Sequence, residues 1–110
     1  MKVSDEILDV WKSFLKAKEE KNEEKMIDAR NNLVEYYFNK GLVKKVADYM
    51  CRSLSDQITS EECQSYGIDG LYQAIDKFDP NKGVKFETFA QSRIWGSIMD
   101  SIRKDDWTPR

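Results

Sequence analysis

The side chains best suited to chemistry lie interleaved near the C-terminal end: Lys82, Lys85, Phe86, Phe89, Arg93, Trp95, Met99, Arg103 and Lys104. Aromatic rings set between cations stack on unpaired bases while the cations hold neighbouring phosphates. A single Arg can also fork onto a guanine edge. This is recognition chemistry, in which no bond is made or broken. The residues of bond chemistry are missing: the 110-residue chain has no histidine, no Gly-rich phosphate loop, no H-E-x-x-H and no nucleophile elbow. Most carboxylates fall on polar helix faces, where they are simply solvated. The chain is therefore not expected to be an enzyme, and no cofactor is implied. Cys51 and Cys63 cannot make a zinc site without further ligands, since tetrahedral zinc takes four. Both sit in helical stripes and are expected to stay reduced and bury as small apolar groups.

The elements that must position these residues read as helices, and no segment alternates with period two for long enough to be a strand. Ser4 before Asp5-Glu6 is an N-cap with first-turn acids. Ile7, Trp11, Phe14 and Leu15 then recur at helical spacing for about 13 residues. Lys16 to Lys25 is charged, lacks an apolar anchor, and reads as a connector or frayed end. Met26, Ala29, Leu33, Tyr36 and Tyr37 resume the period up to Asn39-Lys40-Gly41, where Gly suits a left-handed stop. Leu42, Val43, Val46, Ala47 and Met50 form a third stripe, and Ser53 to Ser60 reads as a loop. Thr59-Ser60-Glu61-Glu62 fits a capping box opening a helix to about Phe78. Gly67 and Gly70 inside it each cost about 1 kcal/mol relative to Ala, which implies that a neighbouring helix or a partner comes close. Asp79-Pro80-Asn81-Lys82-Gly83 ends that helix in a turn. The last helix carries Phe86, Ala90, Ile94, Ile98 and Ile102 on one core stripe, with Phe89, Arg93, Trp95, Met99, Arg103 and Lys104 on other faces. The predicted fold is all-α, a single domain of about five helices over 1–110. On spacing alone, the outer surface of the last helix suits nucleic acid and a second protein interface equally.

Charge narrows the choice of partner. Eighteen basic and 20 acidic residues give a net charge of -2. Residues 1–65 hold 11 basic and 13 acidic, and residues 66–110 hold seven of each. Any nucleic-acid contact is thus a local patch with little long-range pull, assisted by a partner. No apolar run approaches ~18 residues and no leader-like segment opens the chain, so no membrane partner is expected and the expected compartment is the cytoplasm.

Three blocks carry a resemblance: Gly67-Ile68-Asp69-Gly70-Leu71, Ala74-Ile75-Asp76-Lys77-Phe78-Asp79-Pro80 and Gly83-Val84-Lys85-Phe86-Glu87-Thr88-Phe89-Ala90. With them, Glu62 to Arg110 resembles region 2 of bacterial sigma factors, the promoter-recognition subunits of RNA polymerase. The ending Arg93-Ile94-Trp95-Gly96-Ser97-Ile98-Met99-Asp100, with Arg103, Asp106-Trp107 and Pro109-Arg110, is similar to the flagellar and sporulation (group 3) branch. Residues 1–20 would form a short region 1.2-like helix and 24–110 region 2.

The resemblance implies a helix docking on the coiled-coil clamp of the core polymerase β′ subunit through Glu62, Ser65, Tyr66, Ile68 and Tyr72. Ser65 and Tyr66 stand where primary sigma factors commonly carry Gln and Glu. It also implies that Lys82, Lys85, Phe86, Thr88 and Phe89 hold an unpaired non-template base of the promoter -10 element. Arg93, Asp100, Arg103 and Arg110 match positions implied in extended -10 reading. Met99 joins them on the outer surface. Ser92-Arg93 replaces the Trp pair of primary factors, and Trp95 replaces the usual Arg. An anti-sigma factor is an implied regulatory partner, and a helical interaction domain serving only such a partner is the alternative function. Sigma factors run on into helix-turn-helix sequence, so the natural chain is expected to continue past Arg110.

Overall fold

The structure, a computed structural model, describes residues 1–53 and 58–104. Among these residues the chain is all-α: α1 (Asp5–Glu19), α2 (Glu23–Asn39), α3 (Leu42–Ser53), α4 (Ser60–Lys77), a 3-10 turn at Pro80–Lys82 and α5 (Phe86–Lys104). The five expected helices are all present. No helix among the described residues is long and apolar enough to cross a membrane. Most of the expected loop before Ser60, and the expected contacts of Arg110, lie outside the described residues.

The charged stretch from Lys16 to Lys25 holds the end of α1, a three-residue connection at Glu20, Lys21 and Asn22, and the start of α2. Within it, Lys18 reaches across to donate to the main-chain carbonyl of Asp76. Lys21 then takes a left-handed turn at φ 56°, and Asn22 caps α2 by accepting from the Lys25 N–H at 3.2 Å. Asn is among the best N-caps, and it opens α2 only three residues after α1 ends. Ser4, by contrast, precedes α1 in extended conformation without a side-chain capping bond. Asp5 and Glu6 still place negative charge where the helix N-terminus favours it.

The remaining punctuation is as expected. Gly41 sits at φ +86° between α2 and α3, where a Cβ would be strained. Thr59 accepts from the Glu62 N–H at 3.1 Å, the forward half of the capping box. Asp79 accepts from the Asn81 N–H at 2.9 Å, and Gly83 turns at φ +73° to send α5 back along α4.

One aromatic cluster joins the helices. Trp11 of α1 is fully buried, its ring centroid 5.0 Å from Phe86, 5.2 Å from Phe78 and 6.1 Å from Phe14. Its indole N–H donates to the Tyr37 hydroxyl at 2.8 Å, so the one polar atom of the ring is satisfied in the core. α4 and α5 meet through Gly67 and Gly70. A Cβ on Gly70 would lie 2.6 Å from the Arg93 carbonyl oxygen and 2.7 Å from the Ile94 Cα. The neighbour implied by these glycines is therefore α5, joined at Gly67 by Val43 of α3, and at Gly70 the cost in helix propensity is offset by backbone-to-backbone packing.

Candidate functional site

α5 turns Phe86, Ala90, Ile94 and Ile98 inward as a fully buried i, i+4 stripe, with Ile102 half-buried. This corrects one site residue: the Phe86 ring has 0% exposure and is packed against Trp11, Tyr37 and Phe78, so no base can stack on it. The other expected contacts divide between the edges of the helix. Lys82, Lys85 and Thr88 are exposed where the helix begins, Met99 is half-buried, and Arg103 is exposed near its end.

The edge facing α4 carries Phe89, Arg93 and Asp100. Phe89 is half-buried, with Phe78 at 5.9 Å, and the Arg93 guanidinium lies 5.3 Å from its ring centroid. A base approaching here meets a ring already covered by a planar cation, a stack that itself accepts a further π-face. Beside it is a polar hollow of about 400 Å³ lined by Arg93, Asp100, Ser92, Asp69 and Gln73 among others. Asp100 thus shares a hollow with Arg93, and among the described residues it forms no ion pair with Arg103.

The edge facing α3 carries Trp95, which is 40% exposed. Its ring lies 5.8 Å from that of Tyr49, itself 61% exposed and tilted by 46°. The two rings open onto a groove of about 420 Å³ lined also by Lys45, Val46, Arg52 and Gln91. Tyr49 was not among the expected site residues. The signal for it is the spacing of Lys45, Tyr49 and Arg52 at i, i+4 and i+7, which puts all three on one face of α3.

The proposed docking residues on α4 do not form one face. Glu62 and Ser65 are exposed and share a ridge with Asp69 and Gln73. Tyr66 and Ile68, two positions apart, fall on opposite flanks roughly 160° apart. Tyr66 leans towards α5, where its carbonyl accepts from the Ser97 hydroxyl at 2.7 Å. Tyr72 leans towards α2, with the Arg30 guanidinium 5.6 Å from its ring centroid. The acid one heptad after Glu62, Asp69, is the ridge residue the spacing alone could have added.

Burial and charge fix the protonation of several groups nearby. Burial pushes the Cys63 thiol up to about 11, which keeps it un-ionised and inert at neutral pH. Cys51 is half-buried, donates to the Ile58 carbonyl at 3.0 Å, and like Cys63 is a free thiol. The Tyr36 hydroxyl donates to Glu6, and Lys40 pairs with the same carboxylate at 3.1 Å; together they hold it below the ordinary carboxylate range. Among the described residues no group of carboxylates and thiols is arranged to hold a metal ion.

An all-helical domain whose last helix carries cations and half-exposed rings on both edges belongs to a recognised class. Residues 38–108 match the model of Sigma-70 region 2, and the chain belongs to that family. It is similar to RNA polymerase sigma-D factor of Bacillus subtilis, 46% identical over 57 residues, which are 52% of this chain and 22% of that protein. It is also similar to RNA polymerase sigma factor FliA of Pseudomonas aeruginosa, 41% identical over 69 residues, 63% of this chain and 28% of that protein. The FliA of Escherichia coli K12 is 43% identical over 47 residues, 43% of this chain and 19% of that protein. The chain therefore matches less than a third of the length of these relatives. No solved structure matches it. α1 and most of α2 precede the matched residues, yet Trp11 sits inside the same core.

Proposed function

We propose that this domain recognises the promoter -10 element and promotes its opening, as region 2 of an alternative sigma factor docked on core RNA polymerase. The observation that carries the reading is the family match over residues 38–108 together with the Phe89–Arg93 stack on the outer edge of α5, flanked by Lys82, Lys85 and Arg103. No bond chemistry is involved. A surface that binds flipped, unpaired bases better than the duplex lowers the cost of strand opening by that difference. With a net charge of -2 the chain attracts DNA weakly at long range, so docking on the polymerase supplies the local concentration. Ser92-Arg93 offers one guanidinium where primary factors have two indoles, which suits weaker spontaneous melting and stricter promoter choice.

Docking on the β′ clamp coiled coil is assigned to the acidic ridge of Glu62, Ser65 and Asp69. Glu62 is exposed and follows the capped start of α4, free to meet a basic partner. Glu62→Lys should weaken binding to a clamp-helix peptide by about 1–3 kcal/mol without changing the unfolding midpoint. Unchanged affinity removes Glu62 from the docking face. For DNA, fluorescence anisotropy with core polymerase should rank the single-stranded non-template -10 oligonucleotide above its duplex and above a scrambled strand. Equal affinity for all three defeats the proposal.

A further inference from the structure

We propose that the groove between Tyr49 of α3 and Trp95 of α5 is a second nucleobase site, separate from Phe89. It seats one unpaired base of the same single strand, with Lys45 and Arg52 on the flanking phosphates. The inference rests on the single-strand reading above. Three neighbouring hollows of the described surface include carboxylates: Glu20 and Asp28, Glu6 and Glu87, Asp69 and Asp100. The Tyr49–Trp95 groove has none; it joins two rings, two cations and an amide over an apolar floor at Val46. An aromatic, anionic ligand is the chemistry that satisfies this set, because rings take the base face and cations the phosphate. Its volume of about 420 Å³ is in the range that holds a compact ligand.

A protein helix is the poorer fit. It would need an apolar track several turns long, and α3 beside Tyr49 presents Lys44 and Asp48, already paired with each other at 2.6 Å. A strand, in contrast, has somewhere to go. Phe89 and Trp95 lie on opposite edges of α5, about 9 Å apart along its axis. A single strand crossing the exposed Thr88 and Ser92 between them can reach both.

The test uses the chain with and without core polymerase and a non-template -10 oligonucleotide in which one abasic position is walked along the strand. Trp95→Ala and Tyr49→Ala should each weaken binding about tenfold, whereas Trp95→Phe keeps most of it. With Trp95 40% and Tyr49 61% exposed, thermal melts should move far less than in Phe86→Ala. One abasic position should weaken the parent but add nothing to Trp95→Ala, and it should differ from the position coupled to Phe89. Lys45→Gln with Arg52→Gln should flatten the salt dependence by roughly one to two phosphate contacts. If Trp95→Ala binds like the parent while Phe89→Ala loses affinity, the groove is overturned alone. If it instead loses affinity for polymerase only, the groove is a protein contact and the proposal falls. A mononucleotide binding as tightly as the oligonucleotide overturns the strand assignment. No single-strand binding by the parent with polymerase present overturns the underlying reading and the groove with it.

Discussion

Phe86 and Phe89 stand three residues apart on one helix and have opposite fates. Phe86 is enclosed by Tyr37 at 4.4 Å, Trp11 at 5.0 Å and Phe78 at 5.3 Å, and none of its surface reaches solvent. Phe89 touches Phe78 on one side and keeps an edge open beneath Arg93. Their places on the helix separate them: Phe86 lies on the inward stripe, where rings from α1, α2 and the end of α4 close over it, whereas Phe89 lies roughly 60° further round, against Phe78 and Arg93 only. Trp11, from the helix that precedes the family match, thus joins Tyr37 and Phe78 in closing one ring of α5, while the other keeps an open edge.

The largest expected effect breaks the closed side of that contrast. Phe86→Ala should cost about 3–5 kcal/mol in urea or thermal unfolding, because it empties the centre of the aromatic cluster. A midpoint within error of the parent would show that Phe86 is not the keystone of the cluster. Any loss of DNA binding in this variant would follow its loss of fold.

The next effect concerns the packing that sets both edges of α5. Gly70→Ala puts a methyl 2.6 Å from a backbone oxygen and 2.7 Å from a Cα, neither of which can turn aside, so the helices must part. The expected cost is about 1–3 kcal/mol despite the gain in helix propensity, and Arg93, whose carbonyl is the obstacle, shifts with it. Gly67→Ala meets only side-chain ends, Ile94 Cγ2 at 3.0 Å and Val43 Cγ1 at 3.1 Å, and should be the milder change. The reverse ranking, read from paired melts, would contradict the close approach at Gly70.

The helices and their apolar stripes were legible in the sequence because the 3.6-residue period is a local property, and so were the Thr59 cap, the Gly41 stop and the Gly83 turn. Pairings between elements were not. Lys18 donating to the Asp76 carbonyl depends on two residues 58 apart. Phe86 read as core by spacing and as a base platform by family likeness, and the rings of Trp11, Tyr37 and Phe78 decide between them. Tyr49 went unnoticed because its partner Trp95 lies on another helix. The glycines announced a close approach but not by whom. On α4 the docking residues came from family likeness rather than from spacing, and Tyr66 and Ile68, two apart, face opposite sides of the helix.

The open side of the contrast is sharpened by Phe89→Ala. It should lose about 1–3 kcal/mol of single-strand affinity with core polymerase present and far less stability than Phe86→Ala. Arg93→Ala discriminates further: relaxed base preference marks an edge contact, and uniform weakening with a shallower salt slope marks a phosphate contact. If Phe89→Ala binds as the parent does, this edge of α5 is not a stacking platform.

The smallest effect lies at the rim where the closed cluster meets solvent. Tyr36 packs edge-on against Tyr37 at 5.0 Å, and its hydroxyl donates to Glu6, which also holds Lys40. Tyr36 and Lys40 lower the Glu6 carboxyl, and Lys44 and then Ser60 lower that of Asp48. A carboxyl depressed in the folded state binds its proton more readily when unfolded, so it stabilises the fold above the ordinary carboxylate range. That contribution disappears as pH falls through the folded value. The melting temperature should therefore hold level from neutral pH to about pH 5 and then decline, with Glu6→Gln and Asp48→Asn each making the acid limb shallower. Both groups are at the surface, so the decline is modest beside the loss in Phe86→Ala, and salt should reduce the part due to Lys40. An acid limb unchanged in Glu6→Gln would mean that the contacts of Glu6 with Tyr36 and Lys40 add nothing to the stability of this rim.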